Sequence, residues 1–135
     1  MKEITEPVEK LLKDKNFAFI ATLMPDGSPQ ITPVWIDIDN NTNTILVNTA
    51  SGRKKLDNIS RDPRVAISVA NQLNPYEMVA IRGEVVQQDT NSADEHIDKL
   101  AKKYLDLDKY PFRTPNEKRV ILKIKPDKIH YQQPQ

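Results

Sequence analysis

The first half of the chain alternates short apolar segments with tight polar turns. Residues 17–24, 30–37 and 44–49 carry mainly apolar and β-branched side chains, and the turns between them read Pro-Asp-Gly-Ser at 25–28 and Asp-Asn-Asn-Thr-Asn at 39–43. Connections this short join antiparallel strands, because a parallel pair needs a crossover of roughly a dozen residues or more. The pattern therefore predicts an antiparallel barrel rather than alternating β–α units.

The second half supplies further strands, and helices flank the sheet. Strands are predicted at 64–70, 78–87, 119–125 and 128–131. Apolar residues at helical spacing predict three helices: one behind Thr5 that ends near residue 16, one that ends near Ser60, and one behind the Ser-Ala-Asp-Glu capping box at 92–95. Gly83 lies inside a predicted strand and indicates a bulge or tight bend. We expect a mainly β fold with peripheral helices, in a single domain over residues 1–135.

Composition removes several classes of function. Twenty basic residues against nineteen acidic ones leave a net charge of +1, so the chain lacks the one-sided field that captures nucleic acid. The absence of cysteine excludes disulfides, thiolate metal sites and thiol nucleophiles. The charged N-terminus is unlike a signal peptide, and no segment approaches the roughly 20 apolar residues of a membrane span. We expect a cytoplasmic protein that binds neither nucleic acid nor membrane.

A basic segment follows the third predicted strand. Arg53, Lys54 and Lys55 stand directly after Gly52, at the start of a predicted helix. The N-terminus of a helix offers unpaired N–H groups and the positive end of its dipole, so an anion binds there readily. Three cations and a flexible glycine make this segment a candidate phosphate site. The alternative interpretation is a solvated basic turn.

Side chains for acid–base or metal chemistry are scarce. The two histidines, His96 and His130, are expected to be solvated or packed, and the acidic residues show no evident buried pair. No nucleophile elbow, metalloprotease helix or phosphate-binding P-loop motif is present. We therefore predict no catalytic side chain and no metal site. If the protein is an enzyme, a bound cofactor supplies the chemistry.

The aromatic residues leave two interpretations open. Trp35, the only tryptophan, is either the wall of a site for a flat ring or an ordinary core or dimer-interface residue. Tyr110 and Phe112 flank a proline in a predicted loop, and they cover either a ligand edge or a subunit seam.

Four blocks of the chain resemble, in order, the pyridoxamine phosphate oxidase-like split-barrel superfamily, and most closely its branch of small F420-dependent oxidoreductases. The first block is Ala-Thr-Leu-Met-Pro-Asp-Gly-Ser-Pro-Gln-Ile-Thr-Pro-Val-Trp at 21–35. The second runs over 52–69 with Arg-Asp-Pro-Arg, and the third is Asn-Pro-Tyr-Glu-Met-Val-Ala-Ile-Arg-Gly at 74–83. The fourth runs from Leu-Ala-Lys-Lys-Tyr at 100–104 through Tyr-Pro-Phe at 110–112 to Arg-Val at 119–120.

The resemblance implies a six-stranded antiparallel split barrel that forms a homodimer with two cofactor sites at the subunit interface. It assigns the cofactor phosphate to Arg53 and Lys55, with Lys54 nearby. The ring system is expected along Gln30, Thr32, Pro33 and Val34, and near Thr49, Ala50 and Ser51. The partner subunit is expected to contribute the region of Tyr76 and Met78.

The leading hypothesis from the sequence is an oxidoreductase that uses F420 to pass a hydride to a small conjugated organic acceptor. FMN is the alternative cofactor, since both molecules carry a phosphate and a tricyclic ring. A non-catalytic protein that binds a flavin or another planar ligand is the third interpretation. Vitamin B6 oxidation is not expected, because the chain ends without the C-terminal substrate-binding segment of the pyridoxamine phosphate oxidases.

Overall fold

The computed structural model describes residues 2–134 and shows a mainly β protein with three helices. Within those residues, seven strands form one antiparallel sheet. In chain order the elements are α1 (Glu6–Lys13), β1 (Ala18–Leu23), β2 (Pro29–Val34), β3 (Ile36–Asp39), β4 (Thr44–Ala50), α2 (Lys54–Arg61), β5 (Arg64–Ala70), β6 (Met78–Asp89), α3 (Ala93–Leu105) and β7 (Arg119–Gln132).

The expected count of six strands is wrong, because the strand predicted over 30–37 divides at Trp35 into β2 and β3. The strand order is β2-β1-β5-β6-β7-β4-β3, so the two halves of that segment lie at opposite edges of the sheet. A single residue separates their ends, and the sheet must therefore curl until its edges meet at this corner. Pro29 and Pro33 lack the N–H of a central strand and are tolerated on the edge strand β2.

The last two predicted strands are one continuous strand, β7, which pairs with β6. The register between β6 and β7 shifts at Arg82 and Gly83, where Gly83 lies opposite Pro126. The predicted bend at Gly83 is therefore confirmed. A Cβ atom at this position would overlap the carbonyl oxygen of Lys125, so the close approach of two backbones requires glycine there.

The main hydrophobic core fills the inside of the curled sheet. Strand residues that alternate inward, such as Ile20, Ile67 and Ile81, are almost completely buried. Helix α1 closes one side with its apolar stripe, which includes Leu11 and Leu12. No helix within residues 2–134 is long and apolar enough to cross a membrane.

Hydrogen bonds hold helix α3 against the corner of the sheet at Trp35. The Tyr104 hydroxyl donates to the Asn16 carbonyl (2.6 Å) and accepts from the Ile36 N–H (3.1 Å). The Lys103 Nζ donates to the carbonyl oxygens of Leu12 and Ile36, each at 2.7 Å. Burial lowers the pKa of Lys103 to about 8. These bonds place the apolar face of α3 behind the cavity described next.

Candidate functional site

A cavity of about 300 Å³ lies at the corner where β2 ends, β4 ends and β7 begins, with α3 behind it. One part of its wall is cationic and the other is apolar. The residues that line it are Phe17, Pro33, Val34, Trp35, Asn48, Thr49, Arg53, Lys55, Ile97, Tyr110, Phe112 and Arg119.

The cationic part of the wall is formed by Arg53, Lys55 and Arg119. Gly52 adopts φ +86°, and this turn carries the chain from β4 into α2. One oxygen of Glu117 accepts hydrogen bonds from Arg119 (2.7 Å) and Arg53 (3.3 Å), so the two guanidinium groups converge. Burial lowers the pKa of Lys55, and the charges of Arg53 and Arg119 lower it further. Three cations beside one carboxylate leave a positive excess that suits a phosphate group.

The apolar part of the wall is a chain of aromatic rings. Trp35 stacks on Tyr104 with ring centroids 5.2 Å apart and planes 8° from parallel. Tyr110 meets Trp35 edge-on at 5.9 Å, and Phe112 meets Tyr110 edge-on at 5.7 Å. Trp35 thus belongs both to the small core under α3 and to the cavity wall. Such a wall offers flat apolar surface to a planar ring.

The Thr49 hydroxyl is a polar group in this wall without a partner. Thr49 is 2% exposed, and its Oγ1 makes no hydrogen bond to any of the described residues. A buried hydroxyl left unpaired costs about 1–3 kcal/mol, so a ligand that bonds to it recovers that free energy. The cavity therefore combines a cationic end, an apolar wall and an unpaired hydroxyl, and this set fits a phosphate-bearing ring cofactor.

The structure brings five of the sequence-predicted site residues together in this wall. They are Pro33, Val34, Thr49, Arg53 and Lys55.

Three further predicted residues border the cavity without lining it. Ala50 is buried and pairs with Arg119 across β4 and β7. The Ser51 N–H donates to the Lys118 carbonyl (2.9 Å), so its backbone ties the basic loop to the start of β7. Lys54 is exposed.

Gln30 and Thr32 point toward the inside of the barrel. The Gln30 Oε1 accepts from Asn58 Nδ2 at 3.3 Å, a contact that holds α2 against β2. Thr32 lies opposite Ile20 of β1, and its buried Oγ1 has no partner among the described residues.

Tyr76 and Met78 do not line the cavity of their own chain. Met78 pairs with Ala70 of β5, and Ala70 borders the same groove as Phe17, a residue of the cavity wall. The assignment of Tyr76 and Met78 to the site of a second copy remains a prediction.

Two polar residues of the wall, Asn48 and Arg119, were not predicted from the sequence. The Arg119 Nε donates to Asn48 Oδ1 (2.9 Å), and Asn48 Nδ2 donates to His96 Nδ1 (3.1 Å). The His96 Nε2 in turn donates to Asp37 Oδ2 (3.0 Å). His96 is packed rather than solvated, which is one of the two alternatives predicted from the sequence. No local pattern marks Arg119, because it reaches the cavity only through the pairing of β7 with β4.

Asp37 is a single buried carboxylate that the sequence did not mark, and it is 7% exposed. Asp37 alternates with Ile36 and Ile38 as a solvent-facing residue would, and only the position of α3 covers it. Burial raises the pKa of Asp37, but the hydrogen bonds from His96 and the Ile38 N–H, with the charge of Lys99, lower it to about 2.

Asp37→Asn should remove part of the acid sensitivity of folding. The pKa of Asp37 is lowered from 3.8 to about 2, so its stabilisation is present above pH 3.8 and is lost as the pH falls toward 2. Between pH 6 and pH 3 this group should account for about 1 kcal/mol of the lost free energy of unfolding. Urea denaturation of both proteins at the two pH values checks this. Equal losses in both would contradict it.

Several known proteins resemble this chain in sequence or in fold. The family model described as pyridoxamine 5'-phosphate oxidase matches residues 4–133. No functionally curated protein matches the chain in sequence. Among solved structures, one described as an F420 reductase is 29% identical and has a TM-score of 0.80, covering 94% of this chain and 98% of its own.

Two more distant structures share the fold. The general stress protein 26 of Bacillus anthracis is 18% identical with a TM-score of 0.68, and the match covers 96% of this chain and 93% of that one. The HupZ protein of group A Streptococcus is 19% identical with a TM-score of 0.68, and the match covers 97% and 96%.

Proposed function

Because the chain belongs to the pyridoxamine 5'-phosphate oxidase family, we propose that it is an oxidoreductase that binds F420 and passes a hydride to a small conjugated organic acceptor. The cavity carries this proposal, since it joins a cationic end to an aromatic wall and leaves the Thr49 hydroxyl free for a ligand. The likeness to the structure described as an F420 reductase, at 29% identity, favours F420 over FMN as the cofactor.

In this proposal the side chains bind, orient and exclude water. Arg53 and Lys55 hold the phosphate, and Pro33, Val34 and Trp35 form the slot for the ring. The cofactor supplies the hydride chemistry when bound, so alignment and dryness contribute more than an acid–base residue. This agrees with a wall that contains cations and apolar groups but no acidic side chain within the described residues.

Parallel titrations of the purified protein with F420 and with FMN, followed by fluorescence, test the proposal. Tighter binding of F420 is expected, and reduced F420 should then be consumed with an acceptor from a panel of enones and tetrapyrroles. Tighter binding of FMN would indicate that the protein uses a flavin cofactor instead of F420. Tight binding without turnover of any acceptor would make it a carrier or sensor, and binding of neither cofactor would refute the site assignment.

We also propose that the functional unit is a homodimer, and an exposed apolar sheet face supports this. Phe19 and Ile31 are 46% and 63% exposed. The neighbouring outward positions on β5 and β6 carry small residues, Ala66, Ser68 and Ala80, which pair laterally with this part of β1 and with each other. Arg82, Lys128 and His130 border the same face, and an apolar centre with a polar rim is typical of a subunit interface.

The same face runs into the cavity. Phe17 lines the cavity and also borders the groove beside Phe19. A second copy seated on this face would therefore cover the open side of the cavity. It would also bring Tyr76 and Met78, which do not line the cavity of their own chain, toward the cavity of the second copy.

Phe19→Glu should convert the dimer to a monomer, because it would place a carboxylate in the apolar part of the proposed interface, where desolvation is costly. Light scattering after size exclusion measures the mass. Val86→Glu is the matched control, since Val86 is also exposed, at 54%, but does not border the groove beside Phe19. A Phe19→Glu protein with the mass of the unmodified protein would contradict the proposed interface.

A further inference from the structure

We propose that Arg119 is a ligand-binding residue of the cavity, and that Asn48, His96 and Asp37 are positioning residues that hold its guanidinium toward the ligand. The identity of the ligand rests on the proposed function. The orientation of Arg119 does not depend on that function, because it follows from hydrogen bonds within the ligand-free chain.

The guanidinium of Arg119 is buried but incompletely bonded. Its side chain is 5% exposed, and it lies 5.1 Å from the centroid of the Tyr110 ring. Within residues 2–134, its Nε donates to Asn48 and its Nη1 to Glu117, which uses two of the five N–H groups of a guanidinium. Since Arg119 also lines the cavity, the remaining N–H groups are available to an anion there.

The hydrogen bonds of Asn48 fix which of its ends faces Arg119. Its Nδ2 donates to the Ala93 carbonyl (2.8 Å) and to His96 Nδ1 (3.1 Å), so its Oδ1 must face the Arg119 Nε. His96 Nδ1 must then be unprotonated, and the ring proton lies on Nε2, which donates to Asp37. All four residues are less than one-tenth exposed, so water has little access to these bonds.

The first test needs no cofactor. In the ligand-free protein at pH 7.5, the ring ¹⁵N signals should show His96 protonated on Nε2, and the Arg119 Nε–H should exchange slowly with water. Asn48→Leu should accelerate that exchange by about 10-fold or more, the effect of losing roughly 1.4 kcal/mol. Protonation on Nδ1, or unchanged exchange in Asn48→Leu, would overturn the positioning role.

Arg119→Met should lower the affinity for the cofactor at pH 7.5 by about 10-fold or more. Thermal unfolding verifies that the variant folds.

If neither cofactor binds the native protein, the proposed function fails. Inorganic phosphate then replaces the cofactor as the probe, and its binding is followed by the Arg119 Nε–H signal. A shift of that signal by phosphate in the native protein but not in Asn48→Leu supports the inference. No shift in the native protein would refute Arg119 as a ligand-binding residue.

Discussion

Lys55→Ala is expected to weaken binding of the phosphate-bearing cofactor by about 1.5–3 kcal/mol, roughly 10- to 150-fold in Kd. Lys55 is half-buried in the cavity wall, where its charge is less screened than that of an exposed lysine. Its lowered pKa, caused by burial and by the charges of Arg53 and Arg119, means that it loses its proton at a lower pH than an ordinary lysine. Affinity should therefore also decline on the alkaline side.

Lys54→Ala is the matched control for this experiment. Lys54 is the adjacent cation, but it is exposed and does not line the cavity. Its removal should change Kd by less than about 3-fold, the scale of a screened surface charge. Fluorescence titration of F420 and FMN measures both variants, and thermal unfolding should be nearly the same in the two. Equal losses of affinity in both variants would mean that the segment attracts the ligand only through its general charge.

Gly83→Ala is expected to have the largest effect on stability, about 3 kcal/mol or more. The new Cβ atom would overlap the carbonyl oxygen of Lys125 and press on the Ile124 side chain. A carbonyl in the backbone of β7 cannot turn aside as a flexible side chain can. The two strands would have to separate at the bulge, where β6 and β7 form the longest pairing in the sheet.

Gly27→Ala separates this steric effect from the general cost of replacing a glycine. Gly27 adopts φ +85°, and a Cβ there would meet no atom within 4 Å, so the cost should be about 1–2 kcal/mol from backbone strain alone. Urea denaturation of the two variants gives the comparison. A larger loss of unfolding free energy in Gly27→Ala than in Gly83→Ala would show that β6 and β7 can separate at Gly83 at a lower cost than the structure indicates.

The Lys55→Ala and Arg119→Met experiments probe two sides of one site. Lys55 belongs to the local segment after β4, and its neighbours in sequence already indicate an anion site. Arg119 joins the same site from β7 and shares Glu117 with Arg53. A loss of affinity in both Lys55→Ala and Arg119→Met would locate the phosphate between the loop and the strand.

The sequence by itself determined the features that depend on near neighbours. Short turns between apolar segments indicated antiparallel strands, and the structure has strands at 18–23, 44–50 and 64–70, close to the predicted positions. Gly83 indicated the bend, because a glycine inside a strand has no side chain to pack and marks a close backbone approach. Gly52 and the cations after it indicated the basic end of the cavity, because their order along the chain already brings them together.

Tertiary structure alone decided where distant segments meet. Periodicity over 30–37 marks an extended segment, but only closure of the sheet splits it at Trp35 between two edges. The chain of Arg119, Asn48, His96 and Asp37 joins residues from β7, β4, α3 and β3. Alternation along a strand tells which side chains share a face, but not what covers that face. Helix α3 covers this one, and it turns an apparently solvent-facing aspartate into a buried partner of the site.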